Sequence, residues 1–537
     1  MSATLTEVFR RASPSYEAVV TTAPHKVSLT YQRLERVVKV FQAKLWVQHL
    51  RPGDTVAYIL PNSLEGVVAF LGITLFRCTA APLNAALAED EFIFYLQDSG
   101  AKVLLVPAGT DHQHPALKAA RCCLGCAIWE VEWNLTQAHV QVTPFWNHHI
   151  LERQLGPSNS HKYGYSMSHT EPTGQFACQP DPEDIALLLH TSGTTGKPKA
   201  VPLTHANLVQ SMRNIAATYQ FTPADRGYLV MPLFHVHGLV AGLLAPLFSG
   251  STVIVPPKFS ASHFWSDIIA HRCTWYSAVP TIHQILLRRP APSKDGGHCL
   301  RFIRSCSSAL APSVHEQLEK TFGVPVLEAY AMTEAAHQMT SNPLPPAARK
   351  AGSVGLPQGV EVSIRDDGGQ RVAGQGQGEV CVRGHNVTHG YLNNPHANAT
   401  SFYTGGWFRT GDQGFLDSDG YLVITGRIKE LINRGGEKIS PLEVDATLLR
   451  HPKVADGVSF AVPDPIYGQE VHAAVVPRAN CALTEQEVQV YCRKSLAAFK
   501  TPKKVYIVQD FPRTATGKVQ RRIVAAHFGK QPTKAKL

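Results

Sequence analysis

The stretch Leu187–Val201, LLLHTSGTTGKPKAV, concentrates groups suited to holding a phosphorylated ligand. The apolar run Ile185–Leu189, which enters it, has the composition of a short buried strand. That run leads into Thr191, Ser192, Gly193, Thr194, Thr195, Gly196 and Lys197. Glycines let the backbone turn tightly and bring its N–H groups close to a ligand. The hydroxyls add donors, and Lys197 and Lys199 add positive charge, a combination that suits a polyphosphate. The G-x-x-x-x-G-K-[ST] pattern is missing, since Gly193 and Gly196 stand three apart and Pro198 follows Lys197. On composition alone a plain Gly/Ser/Thr hairpin reads equally well. Further on, His235 and His237 lie in PLFHVHG after a predicted strand. Parallel sheets bind ligands at such strand ends, although core or surface histidines fit the same pattern. Ser305–Leu310, SCSSAL, offers small residues that let backbone approach a flat base.

TSGTTGKPKAV resembles the phosphate loop of the adenylate-forming superfamily of acyl-CoA synthetases, luciferases and carrier-protein adenylation domains, with Ala200 where Gly is usual. The later segments YAMTE (330–334), TGD (410–412), GRIK (426–429), LINRGGEK (431–438) and PRTATGKVQRR (512–522) resemble further motifs of that family, in its order. The similarity spans nearly the whole chain. It implies that residues 191–197 hold the ATP phosphates and that Ser308 and Ala309 belong to the adenine loop. Tyr330 would pack on adenine, Thr333 would reach a phosphate, and Glu334 would hold Mg²⁺, a cation that favours carboxylate and phosphate oxygens. Asp412 would accept hydrogen bonds from the ribose hydroxyls, and Arg427 would contact the nucleotide. Lys429 lies at the pivot position, and Gly435 and Gly436 would line the CoA channel. Lys518 matches the adenylation lysine, a point cation able to bridge a carboxylate nucleophile and a departing phosphate. His235 would line the acyl pocket beside the thiol channel.

The implied activity is that of an ATP-dependent acid–thiol ligase using Mg²⁺ and CoA. An acyl-adenylate forms with release of pyrophosphate, a small domain swings, and the CoA thiol displaces AMP. Within the superfamily, PLFHVHGL, TWYSAVPTIHQIL, SCSSAL, EAYAMTEAAH and GRIKELINRGGEKISPLEVDA resemble peroxisomal and plant-type oxalate–CoA ligases more than fatty-acid or coumarate ligases. Oxalate is the expected acid. A pocket with His235, His237, Ser307, Ser308 and His337 could meet the charge of a second carboxylate, which is costly to bury unpaired. The alternatives are another short-chain, fatty or aromatic acid and, in a different class, a nucleotide-binding regulator without turnover.

These groups need an α/β framework. At 537 residues the chain exceeds a single core. We expect an N-terminal AMP-binding domain over 1–427, built of parallel α/β sheets with a small β-barrel or sheet subdomain at 352–427. A mobile α+β domain is expected over 428–537, hinged at Lys429. Thr204, Ser440 and Thr484 each have the side chain and spacing of a helix N-cap. Strands are expected at Val56–Leu60, Lys102–Val106, Tyr228–Met231, Thr252–Val255, Thr274–Ser277, Phe302–Ser305 and Val324–Leu327. Residues 108–182 are less regular.

Composition narrows the class. A net charge of +10, much of it beyond Asp510, suits polyanionic ligands such as ATP and CoA, or a solvated tail. No nucleic-acid-binding motif accompanies it. The 11 cysteines are scattered and odd in number, which argues for reduced thiols over a secreted disulfide framework. The apolar run Gly66–Phe76 is too short to span a bilayer, and no signal peptide is visible at the N-terminus. The terminal Ala535-Lys536-Leu537 resembles an S-K-L-type peroxisomal address, implying an import receptor as partner and a peroxisomal, otherwise cytoplasmic, location.

Overall fold

The computed structural model describes residues 3–22, 26–134, 137–146, 179–191, 198–290, 297–514 and 517–529. It divides into two compact units. The first comprises Met1–Ser277, Met332–Gln338 and His385–Ala399, and the second Ala278–Ala331, Met339–Gly384 and Thr400–Leu537.

A seven-stranded sheet forms the frame of the first unit, in the order His139–Trp146, Ala127–Asn134, Ala101–Pro107, Thr55–Tyr58, Thr79–Pro82, Ile185–Thr191 and Lys199–Thr204. The five inner strands run parallel. Each edge is an antiparallel hairpin, so the sheet is mixed where the sequence pattern predicted parallel strands. The inner strands are almost continuous apolar runs because both faces are covered. Ala57, Leu104, Val106, Ile128 and Leu188 are buried in one cluster with Phe92 and Leu117 from the neighbouring helices. Helix Leu64–Leu75 is apolar around nearly its whole circumference and is buried accordingly.

A second set of strands in this unit follows the order Trp275–Ala278, Arg226–Tyr228, Thr252–Val255, Glu17–Thr21 and Ser28–Thr30. The strand expected to reach Met231 ends at Tyr228. Asn62 accounts for the early stop: its side chain donates to the Met231 carbonyl (3.1 Å) and accepts the Leu233 N–H (2.9 Å). A side chain thus satisfies backbone groups that a ladder would otherwise pair.

In the second unit, Phe302–Ser305 pairs in parallel with Val326–Met332. The region expected to be a barrel or sheet is a five-stranded antiparallel sheet, in which Trp407–Leu416 pairs with Gly378–Arg383, Phe402–Tyr403 and Leu422–Arg427. The C-terminal part is α+β. Alternate residues of Gly468–Pro477 serve opposite faces. Val471, Ala473 and Val475 pack with helices Pro441–Leu449 and Glu485–Arg493, while Ala474 packs with Phe511 and Val524. At the start of helix Arg521–Gly529, the Arg521 guanidinium pairs with Asp445 (2.7 Å) and Glu430 (3.3 Å) and donates to the Ser459 carbonyl.

The capping signals are realised. Ser440 accepts the Glu443 N–H, and Thr484 forms a capping box with Glu487. Thr204 accepts the Asn207 N–H (3.2 Å), while Asn207 accepts the Thr204 N–H (3.0 Å). Loss of such a cap costs about 1 kcal/mol. Thr204→Ala is therefore expected to lower the urea unfolding midpoint with an unchanged slope, whereas Thr204→Ser should leave it near wild type.

Candidate active site

Strands Ile185–Thr191 and Lys199–Thr204 pair antiparallel, with Thr191 opposite Lys199, and so bracket the predicted phosphate loop. Ser192, Gly193, Thr194, Thr195, Gly196 and Lys197 lie outside the described residues. Lys199 places its ammonium 4.5 Å from the centre of the Tyr391 ring, a cation–π contact. The Tyr391 hydroxyl in turn donates to Glu334 Oε1 (2.9 Å), and the Glu334 carbonyl accepts the Thr388 N–H (2.7 Å). Glu334 follows Thr333 in a single 3₁₀ turn and is buried. Tyr391 holds this carboxylate across 57 residues of chain, and no spacing signal links the two.

Glu334 suits Mg²⁺ by its chemistry. Among the described residues no group of three or more His, Cys, Asp or Glu could hold a metal ion. The described residues therefore offer single carboxylates rather than a cage. Mg²⁺ usually binds nucleotides that way, through one or two carboxylates plus phosphate oxygens and water.

The first unit also gathers the histidines. His237 begins a wide helical turn, His237–Leu244, and is buried. Gly238 allows this turn to start so close to the preceding segment, since a Cβ there would lie 2.2 Å from the Pro232 carbonyl oxygen. His237 Nε2 is 2.6 Å from Ser277 Oγ, and its ring stacks on His337 with centroids 5.2 Å apart. The half-buried His235 accepts the His237 N–H on Nδ1 (3.1 Å), which leaves the proton of a neutral ring on Nε2. His337 is fully buried and has a φ of 101°, a conformation that L-residues adopt only under constraint. Ser277, which the sequence reading did not single out, completes this cluster.

The second unit holds the residues expected around the nucleoside. Asp412 stands opposite Arg427 in the hairpin register. Arg427 Nε donates to Asp412 Oδ1 (2.9 Å), and the Tyr330 hydroxyl donates to Oδ2. Burial pushes the Asp412 carboxyl up, against the pull of Arg427, Tyr330 and Lys518, so Lys518 lies within electrostatic reach of Asp412. Each carboxylate oxygen retains a lone pair for a further donor. In the loop after Phe302–Ser305, Ser307 is half-buried with a φ of 75°, and Ser308 and Ala309 are exposed. The Leu310 N–H donates to Glu328 Oε1 (2.8 Å), anchoring the end of this loop. Glu328, also missed in the sequence, is buried, and burial pushes its carboxyl up to about 8.

Lys429 occupies an exposed 3₁₀ turn, Ile428–Glu430. Gly435 and Gly436 have φ of 59° and 95° and join strands Ile432–Arg434 and Glu437–Ile439 as a two-residue turn. Such a turn by itself calls for glycine at both positions. Lys518 sits in a small hairpin where Arg513 bridges Val519 and the Lys518 N–H donates to Thr514 Oγ1 (3.1 Å).

Comparison with known proteins identifies the family. A model of the AMP-binding enzyme family matches residues 7–392, and a model of the AMP-binding enzyme C-terminal domain matches residues 443–518. The chain belongs to the AMP-binding enzymes and is an ATP-dependent acyl-CoA synthetase. It is 49% identical over 512 residues to an oxalate–CoA ligase of Arabidopsis thaliana, covering 94% of this chain and 95% of the relative. It is 46% identical over 548 residues to an oxalate–CoA ligase of Saccharomyces cerevisiae, covering 100% and 99%. A sulfoacetate–CoA ligase of Cupriavidus necator is 43% identical, over 89% and 88% of the two chains. Among solved structures, ATP-bound MatB from Rhodopseudomonas palustris superposes with a TM-score of 0.85 at 28% identity, over 99% of each chain. This kinship does not favour a regulator without turnover.

The Glu328 environment gives a pH prediction. Unfolded, this carboxyl titrates near 4.5; folded, near 8. Folding therefore retains a proton between those values, and its stabilising contribution fades as pH rises toward 8. Glu328→Gln removes that dependence. The urea midpoint of the variant relative to wild type should rise between pH 5 and pH 9, and a constant difference would contradict the assignment.

Proposed function

We propose that this acid–CoA ligase acts on oxalate and does so in peroxisomes. One observation carries the substrate reading: the buried, stacked pair His237 and His337, with Ser277 bonded to His237. A dicarboxylate keeps one negative charge after its other carboxylate is activated, and burying that charge without donors is expensive. An apolar acid would set hydrocarbon against the same polar groups, which selects against it. The oxalate–CoA ligase relatives support the same acid.

In the proposed sequence, residues 191–197 and Thr333 orient the ATP phosphates, Tyr330 supports adenine, and Asp412 and Arg427 engage the nucleoside. The substrate carboxylate attacks the α-phosphorus in line and pyrophosphate leaves. Lys518 stabilises the charge that moves between the two, a transfer governed mainly by positioning and electrostatics. Mg²⁺, held in part by Glu334, would supply phosphate charge neutralisation when bound. Rotation about Lys429 then withdraws Lys518 and presents Gly435 and Gly436 to the CoA pantetheine arm. The thiol adds to the acyl carbon beside His235, and AMP departs.

A panel of oxalate, malonate, acetate, octanoate and coumarate tests the substrate. Oxalate should show the highest kcat/KM. His337→Ala should raise KM for oxalate about tenfold, the effect of roughly 1.4 kcal/mol of lost binding, and KM for ATP much less. Preference for octanoate or coumarate by an order of magnitude would defeat the oxalate reading and leave the ligase class intact.

The location rests on Ala535-Lys536-Leu537, which lie outside the described residues. Deleting this tripeptide from an N-terminally tagged protein should move it from peroxisomes to cytosol with its specific activity unchanged. A full-length tagged protein that is already cytosolic would refute the address.

A further inference from the structure

We infer that Thr281 is a positioning residue for Lys518 that acts in adenylation and not in thioester formation. Thr281 lies in the first turn of helix Pro280–Leu287, far in sequence from the lysine. Its hydroxyl donates to the Gly517 carbonyl at 2.9 Å, one residue before Lys518. The same oxygen accepts from Arg513 Nη1 at 3.2 Å. A guanidinium only donates, so the hydroxyl must accept on that side, and its one proton is directed to Gly517. Arg513 is itself fixed by the buried Asp456, with Nη2 2.6 Å from Oδ2. The order of contacts is therefore Asp456, Arg513, Thr281, Gly517. It holds both ends of the hairpin that carries Lys518.

The fit at Gly517 is close. Its φ is +84°, and a Cβ there would meet Val279 at 3.4 Å and Thr281 at 3.7 Å. Thr281 precedes the pivot at Lys429, whereas Asp456, Arg513 and Gly517 all follow it. A rotation about Lys429 carries the hairpin off Thr281 and breaks both hydroxyl bonds while leaving the Asp456–Arg513 pair intact. Thr281 thus serves the arrangement in which Lys518 is presented and has no part in the one that follows. The inference rests on the adenylating role proposed for Lys518.

The test separates the half-reactions in the full-length enzyme. Acid-dependent exchange of pyrophosphate into ATP reads the first, and thioester formation from supplied acyl-adenylate and CoA reads the second. Thr281→Val keeps the side-chain shape and leaves Arg513 paired with Asp456. It should cut exchange about tenfold or more while thioester formation stays within about twofold, and Thr281→Ser should restore exchange. Lys518→Ala in the same assays is the control. If that control keeps its exchange rate, the role of Lys518 fails. If the control loses exchange and Thr281→Val does not, the Thr281 inference alone is overturned. Equal loss of both half-reactions in Thr281→Val, or no recovery in Thr281→Ser, overturns it as well.

Discussion

Asp412 is a carboxylate withdrawn almost entirely from water, and its neighbours in the second unit are arranged around satisfying it. A buried carboxylate without partners costs several kcal/mol. The antiparallel register meets that cost by setting Arg427 directly opposite, and Tyr330 closes the other oxygen. The strand ends at Arg427, and the exposed turn with Lys429 follows directly. The ion pair therefore also marks where the rigid hairpin ends. A pivot at Arg427 itself would pull the guanidinium off its partner and leave the carboxylate unpaired, whereas the pivot proposed at Lys429 is compatible with keeping the pair.

The first unit solves a different electrostatic problem. His237 and His337 are buried and stacked on each other, His237 also meets the Ser277 hydroxyl, and its backbone N–H donates to the half-buried His235. His337 accepts an unfavourable backbone conformation to reach its place immediately after the 3₁₀ turn with Glu334. Strain of this kind persists only where the surroundings over-determine it. Here the neighbouring anchors are explicit: the Ala336 carbonyl accepts from Ser211 (2.6 Å), and Asn386 donates to the carbonyls of Ala335 (2.8 Å) and Gln338 (3.3 Å).

Local signals in the sequence carried a large part of this structure. Ser440, Thr484 and Thr204 cap helices because capping depends on residues three apart, and apolar runs such as Val103–Val106 become inner strands because both faces are covered. What depends on distant partners was not legible. Nothing near Glu334 announces Tyr391, nothing near Leu310 announces Glu328, and the strand after Arg226 stops early because of Asn62, more than 160 residues upstream. The antiparallel edge hairpins were missed for a related reason: an apolar run states that a strand is buried but not which way its neighbour runs. Gly435 and Gly436 show the reverse limit, since a motif suggesting ligand contact also has a sufficient reason in turn geometry.

Arg521 braces the C-terminal part against the turn that contains Lys429. Its guanidinium, three positions after Lys518, joins Glu430, next to Lys429, to Asp445 and the Ser459 carbonyl in the body of the fold. In mechanical terms it is a strut between that turn and the body of the fold. If the chain turns at Lys429 as proposed, the strut would couple that turn to displacement of the lysine. On the proposed mechanism, a turn at Lys429 that left Lys518 behind would first have to break this bracing, so the brace itself would favour one order of the two steps.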